Sequence, residues 1–139
     1  MEKRKTEAAL TSGKPEQTGL LKYMLEKGIT QFHVVKYGEE YLKEHGFSEL
    51  KLEDKWKLQT GENYYVRPYS SVMIAFHLPK QLQHIRIATS HTDFPMLKLK
   101  PSADMEKGGY HMLNIETYGG LLMKTWFDRP LGLAGKVVI

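Results

Sequence analysis

The sequence contains no cysteine among its 139 residues. Disulfide bonds and thiolate metal sites are therefore excluded, and any transition-metal site must be built from His, Asp and Glu side chains. Zinc, manganese and cobalt suit such a set of ligands.

Long apolar runs and blocks of like charge are also missing. No run is long enough to span a bilayer, and the basic start Met1–Lys5 is followed by Thr-Glu-Ala and not by the apolar core of a signal peptide. This predicts a cytoplasmic location and no membrane partner. The net charge of +4 comes from Lys and Arg residues scattered among Glu and Asp, as in residues 51–57. Such a pattern favours an ordinary solvated surface, so no nucleic-acid partner is expected; nucleic-acid binding is an alternative that rests on charge alone.

Two helices are predicted in the first third of the chain. The first begins at residue 16 or 18 and stops at Gly28, and the second has Thr30 as N-cap and Gly46 as C′ residue. The apolar side chains of the second helix fall near one face. Its Glu39 and Glu40 are expected on the opposite face, in solvent.

Strand signals dominate after residue 47, where the apolar period changes toward two. The predicted strands are 56–59, 64–67, 71–78, 84–89, 96–100, 111–118 and 133–139, with turns that include 60–63, 104–109 and 119–120. Two helices followed by short strands predict an α/β fold in which the helices cover at least one face of a mixed β-sheet.

One turn carries side chains that can bind a metal. His91 and Asp93 are two residues apart, between the predicted strands 84–89 and 96–100. An imidazole suits zinc, and a nearby carboxylate can bind the metal itself or accept the other imidazole N–H and so fix the tautomer. The alternative is a hydrogen-bonded surface turn without a ligand role, since spacing alone does not distinguish the two.

Several separated motifs in the chain resemble the aspartyl aminopeptidase family in the same order. The motifs are residues 32–35, 46–47, 56–58, 64–66, 70–76, 90–95, 97–101, 116–120 and 125–137, among them Ser-His-Thr-Asp-Phe-Pro, Glu-Thr-Tyr-Gly-Gly and Thr-Trp-Phe-Asp-Arg-Pro-Leu-Gly-Leu-Ala-Gly-Lys-Val. The resemblance covers nearly the whole chain after the first residues.

The resemblance implies a zinc hydrolase with a two-metal site that releases N-terminal residues, commonly acidic ones, from peptides. It assigns His91 as the first metal ligand and Asp93 as the residue that orients this ligand and supports the site. The remaining ligands and the general base are expected to follow residue 139 in a longer protein. Zinc is the implied metal, a peptide the implied substrate, and a homo-oligomer the implied state of the full-length protein.

The composition of the first residues and the resemblance together predict a division of the chain. The polar residues 1–15 are expected to be a flexible leader, residues 16–135 the N-terminal part of a catalytic domain, and residues 136–139 the start of an inserted, truncated β domain. The apolar run 136–139 ends without a turn or a polar tail, which is unusual for a finished domain. The chain is therefore interpreted as an inactive N-terminal portion of a longer enzyme, with a noncatalytic aminopeptidase-like binding or assembly module as the alternative.

Overall fold

The computed structural model describes residues 17–81 and 83–139, which divide into two compact units, one ending at Ala88 and the other beginning at Thr89. The elements of the first unit are α1 Gln17–Lys27, α2 Gln31–Glu44, β1 Phe47–Leu50, β2 Asn63–Tyr69 and β3 Val72–His77. Those of the second are β4 Met96–Lys107, β5 Tyr110–Tyr118 and the 3-10 helix Met123–Thr125. Among the described residues, no helix is long and apolar enough to cross a membrane.

Both predicted helices are confirmed, and α2 ends where its caps predict. The Thr30 backbone is extended, and its hydroxyl accepts a hydrogen bond from the backbone N–H of His33 at 3.4 Å. The same hydroxyl lies 2.8 Å from the His33 ring Nδ1, which gives that histidine a structural role. Gly46 has φ +77°, the left-handed conformation that ends many helices and that glycine adopts without strain.

The first unit contains the predicted mixed sheet. Its strand order is β1-β2-β3, with β1 parallel and β3 antiparallel to the central β2. Three consecutive residues of β2, Tyr64, Tyr65 and Val66, are buried, as expected for a strand covered on both faces. Helix α2 lies close to β3, since a Cβ added at Gly38 would be 2.8 Å from the Met73 Cε.

Glu39 does not face solvent as predicted; it is buried at the contact of α2 with β2. Its carboxylate is 2.6 Å from the Arg67 Nη1 and 2.7 Å from the Lys43 Nζ, and it accepts a hydrogen bond from the Tyr65 hydroxyl at 3.2 Å. Burial alone raises the pKa of this carboxyl, but the Lys43 hydrogen bond, the Arg67 charge and the Tyr65 hydrogen bond outweigh it and lower the pKa below its ordinary value. The carboxylate is tolerated inside because three donors satisfy it.

Three predicted strands are wrong: 56–59, 84–89 and 133–139 are irregular. In the first, the Trp56 indole N–H donates to the Lys51 carbonyl at 2.7 Å and the Gln59 N–H donates to the Tyr64 hydroxyl at 2.9 Å, so side chains replace a strand partner. Ile85, Ile87 and the last three residues of the chain are more than 70% exposed. Apolar alternation identifies a strand only when a neighbouring strand pairs with it, and none of the described residues does so there.

Other strand boundaries also differ from the prediction. Strand β1 was not predicted, because it is four residues long and pairs in parallel with a strand far along the chain. In the second unit, the observed turn is shorter than the predicted turn 104–109. Strand β4 continues to Lys107, and the turn consists of Gly108 and Gly109, both with positive φ. The strands β4 and β5 form an antiparallel hairpin with a register shift between Leu99 and Asp104.

The predicted leader, residues 1–15, lies outside the described residues. The predicted division into residues 16–135 and 136–139 remains a prediction, since the boundary between the two units at residues 88 and 89 is a different kind of division.

Candidate metal centre

The open end of the β4–β5 hairpin brings the turn of the predicted metal ligand next to a residue far along the chain. Met96, the first residue of β4, pairs with Tyr118, the last residue of β5. The segment that carries His91 and Asp93 runs directly into β4. The antiparallel ladder therefore places Tyr118 beside Asp93, although 25 positions separate them in the sequence.

Tyr118 and its neighbour hold this turn. The Tyr118 hydroxyl donates a hydrogen bond to the Asp93 Oδ2. The next residue, Gly119, has φ +70°, and a Cβ built on it would be 3.4 Å from the Pro95 Cγ. The Lys98 Nζ lies 4.8 Å from the centroid of the Tyr118 ring, within cation–π range, on the face of the hairpin that both residues share. The end of β5 thus lies next to the turn and donates a hydrogen bond to its carboxylate.

The His91 ring has a defined tautomer. Its Nδ1 is 2.5 Å from the Asp93 carbonyl oxygen and 3.3 Å from the Asp93 Oδ1. A carbonyl oxygen and an ionised carboxylate can only accept hydrogen bonds, so Nδ1 must carry the proton. In the neutral imidazole the lone pair is then on Nε2, the atom that can bind a metal.

The electrostatics keep Asp93 ionised near neutral pH. The hydrogen bond from Tyr118 lowers the pKa of the Asp93 carboxyl below its ordinary value, and this outweighs the opposing effect of desolvation; the nearby His91 acts in the same direction as Tyr118. The same hydrogen bond raises the pKa of the Tyr118 phenol, which therefore stays protonated and able to donate. The two shifts agree, because each favours the phenol as donor and the carboxylate as acceptor.

The arrangement of His91 and Asp93 fits one coordination position of a zinc site. The His91 side chain is 80% exposed, so its Nε2 is accessible to a metal, and its other nitrogen is held by Asp93 as zinc-bound imidazoles commonly are. Within residues 17–81 and 83–139, however, no group of three or more His, Asp or Glu side chains is placed to hold a metal ion. Catalytic zinc generally takes three protein ligands and a water molecule. The turn before β4 therefore offers one oriented candidate ligand, His91.

Two other histidines, His45 and His77, have contacts that are structural. His45 has its Nδ1 2.7 Å from the Tyr41 carbonyl and stacks on the Tyr41 ring with centroids 3.9 Å apart. His77 has its Nδ1 2.8 Å from the Asn63 Oδ1, across the β2–β3 ladder.

Sequence reasoning selected His91 and Asp93 but missed Tyr118. Both strands of the hairpin were predicted, and pairing them in register would have placed Tyr118 opposite Met96. The register shift between Leu99 and Asp104 hides this pairing, because counting outward from the turn does not place Met96 opposite Tyr118.

Comparison with known proteins gives the family. Residues 24–139 match the family described as Aminopeptidase I zinc metalloprotease (M18). The chain belongs to the M18 family. It is 40% identical over 123 residues to a "Probable M18 family aminopeptidase 2" of Pseudomonas putida (strain KT2440), covering 86% of this chain and 28% of that protein. It is 38% identical over 117 residues to the protein of the same description from Clostridium novyi (strain NT), covering 81% of this chain and 27% of the relative.

The M18 fold is also found among solved structures. The structure of Chaetomium thermophilum mApe1 has a TM-score of 0.63 and 31% identity to this chain, covering 78% of this chain and 26% of that one. The chain thus spans less than a third of the length of these relatives.

Proposed function

We propose that this chain supplies one arm of the metal site of a two-metal M18 aminopeptidase, which releases N-terminal residues from peptides. By the arm we mean the ligand His91 together with Asp93, which orients it. In this proposal the Nε2 of His91 is a zinc ligand, and Asp93 holds the proton on Nδ1. The observation that carries it is the orientation of His91: its Nδ1 faces two acceptor oxygens of Asp93, while the exposed ring leaves Nε2 accessible.

Each residue has a stated task. By accepting a hydrogen bond from the Nδ1–H, Asp93 keeps the imidazole in one tautomer and one orientation. This hydrogen bond also makes Nε2 a better electron donor to a metal. When bound, zinc in such a site lowers the pKa of a water molecule to near neutrality and polarises the peptide carbonyl. A general base is also required for hydrolysis.

The proposal places the remaining ligands and the general base in residues of the whole protein outside this sequence. This agrees with the share of the relatives that the chain covers, and with the absence of a three-ligand group among the described residues. The 139-residue chain by itself is accordingly proposed to be inactive. A preference for acidic N-terminal residues, a homo-oligomeric state of the whole protein and a cytoplasmic location remain predictions. Paired assays on aspartyl and leucyl substrates test the substrate preference. Light scattering tests the oligomeric state, and cell fractionation tests the location.

Substitution of His91 in the full-length protein tests the proposed ligand. We expect His91→Ala to lower kcat/KM on aminoacyl p-nitroanilides by at least about 100-fold, more than is typical for the loss of a residue behind a ligand. Zinc content should fall in parallel, because a ligand is lost. The unfolding midpoint should stay close to that of the native protein, since the ring is exposed.

A matched control is His111→Ala, which removes another exposed histidine near the opposite end of the same hairpin. It should change neither activity nor zinc content. Activity and zinc content that survive His91→Ala would contradict the assignment. A full-length native protein that binds zinc but hydrolyses no peptide would favour the alternative, a noncatalytic aminopeptidase-like module.

A further inference from the structure

One carboxylate in the second unit connects a phenol to the candidate metal ligand. The Asp93 Oδ2 accepts the hydrogen bond of the Tyr118 hydroxyl, and its Oδ1 lies 3.3 Å from the His91 Nδ1. The three side chains therefore form a series, Tyr118, Asp93 and His91, joined through the two oxygens of one carboxylate.

The hydrogen bond from Tyr118 matters because little else around Asp93 fixes the orientation of its carboxylate. It lies in the irregular segment before β4 and is not buried. The torsion that turns a carboxylate has broad minima, so the backbone alone does not fix where the two oxygens point. A donor at Oδ2 sets that torsion and thereby keeps Oδ1 directed at His91.

Tyr118 is itself well placed to act as a fixed donor. Its backbone is the last ladder residue of β5, paired with Met96. Beyond it, Gly119 lies next to Pro95, since a Cβ built on this glycine would be 3.4 Å from the Pro95 Cγ. The Lys98 ammonium over the ring adds a favourable contact on one face.

We infer that Tyr118 is a positioning residue of the metal site, acting on the His91 ligand through the Asp93 carboxylate. This inference rests on the proposed function, since it concerns the same ligand. It adds a third residue to the arm, from a separate strand, and it assigns the β4–β5 hairpin the task of aligning that arm. It also implies that Tyr118 contributes nothing when Asp93 cannot accept its hydrogen bond.

The test is Tyr118→Phe in the full-length protein, which removes the hydroxyl and keeps the ring over which Lys98 lies. The zinc dissociation constant is measured by competition with a chromogenic chelator. Loss of a partner behind a metal ligand commonly weakens metal binding about 10- to 100-fold, and Tyr118 is one contact further away, so roughly a threefold to tenfold weakening is expected. In zinc-saturated enzyme, kcat should fall while KM stays within about twofold, because the inferred role of Tyr118 is exerted on the metal ligand and not on the substrate.

The decisive comparison repeats the substitution in an Asp93→Ala background, in which residue 93 has no side-chain acceptor for the Tyr118 hydroxyl. If Tyr118 acts through the Asp93 carboxylate, Tyr118→Phe should change the zinc dissociation constant there by less than about twofold. A merely structural role would give the same factor in both backgrounds and would overturn the inference. Tyr110→Phe, the same change at the other end of β5, is the matched control and should leave zinc binding unaltered.

The outcomes separate this inference from the proposed function. If His91→Ala retains zinc and activity, the proposed function fails, and the role of Tyr118 fails with it. If His91→Ala loses both but Tyr118→Phe binds zinc like the native protein, the positioning role fails alone. Unfolding midpoints of all variants are measured alongside, and a weakening of zinc binding that merely follows a lowered midpoint in both backgrounds also counts against the inference.

Discussion

The Asp93 backbone and side chain act on His91 together. Family resemblance assigns the orienting role to the Asp93 carboxylate, but the carbonyl oxygen of the same residue lies closer to Nδ1, at 2.5 Å against 3.3 Å for Oδ1. Two acceptors on one residue make the protonation of Nδ1 less dependent on either alone. The tautomer is therefore built into the turn.

This tautomer can be tested in the chain as it stands. Long-range ¹H–¹⁵N correlation spectra at about pH 8.5, where imidazoles are neutral, distinguish a protonated from an unprotonated ring nitrogen. We expect His91 to show a protonated Nδ1 and an unprotonated Nε2. In Asp93→Ala the same pattern should persist in part, because the backbone carbonyl remains. A native spectrum with protonated Nε2 would contradict the ligand geometry.

His91 and Asp93 could be selected from the sequence because a local motif contains both of them, and their role at a metal stays a prediction. Tyr118 could not be selected in this way, since its role depends on the register of two strands, and the bulge between Leu99 and Asp104 shifts that register. Glu39 was missed for a related reason. Its helix position suggested solvent, and nothing local reveals that Arg67, on a distant strand, would pair with it.

At the scale of elements, helices were predicted better than strands. The ends of α2 depend on neighbours in sequence, Thr30 and Gly46, and were correct. Strands depend on partners far along the chain. Residues 84–89 have a clear apolar alternation yet no strand partner among the described residues, whereas the weakly patterned β1 is a strand because β2 lies beside it.

The attachment of α2 to the sheet has a consequence for pH. The Glu39 carboxylate, which Lys43, Arg67 and Tyr65 surround, has a folded-state pKa below its value in the unfolded chain. Its contribution to stability is therefore complete above the unfolded-state pKa, near 4.5, and is lost as the pH falls through the lower folded-state pKa. We expect the free energy of unfolding of the 139-residue chain, measured by urea denaturation, to fall across this acidic range.

Glu39→Gln should remove that part of the acid dependence. At neutral pH it should also destabilise the chain by about 1 to 3 kcal/mol, the usual cost of losing hydrogen bonds to a charged group. Glu40→Gln, the adjacent exposed position on the same helix, is the control and should change little. Equal acid sensitivity of the native chain and Glu39→Gln would show that other carboxylates dominate.

At the scale of the whole molecule, the family was predictable, whereas the metal site stays a prediction. Separated motifs in a fixed order led to the aminopeptidase family, and the match over residues 24–139 confirms membership of M18. The motifs do not provide a complete set of metal ligands. A metal site depends on residues that converge from separate elements, and among the described residues no three His, Asp or Glu side chains converge in this way.

The behaviour of the 139-residue chain toward zinc follows from this. Structural zinc sites with four ligands bind with about 10 to 16 kcal/mol, so one imidazole with an equal share of that energy would give a dissociation constant on the order of a millimolar or weaker. Isothermal calorimetry should therefore detect no tight site, and His91→Ala should give the same weak signal as the native chain. A submicromolar constant that His91→Ala abolishes would mean that the site is more complete than one arm. The same titration of the full-length protein should give tight binding, because the other ligands of the proposed two-metal site would then be present.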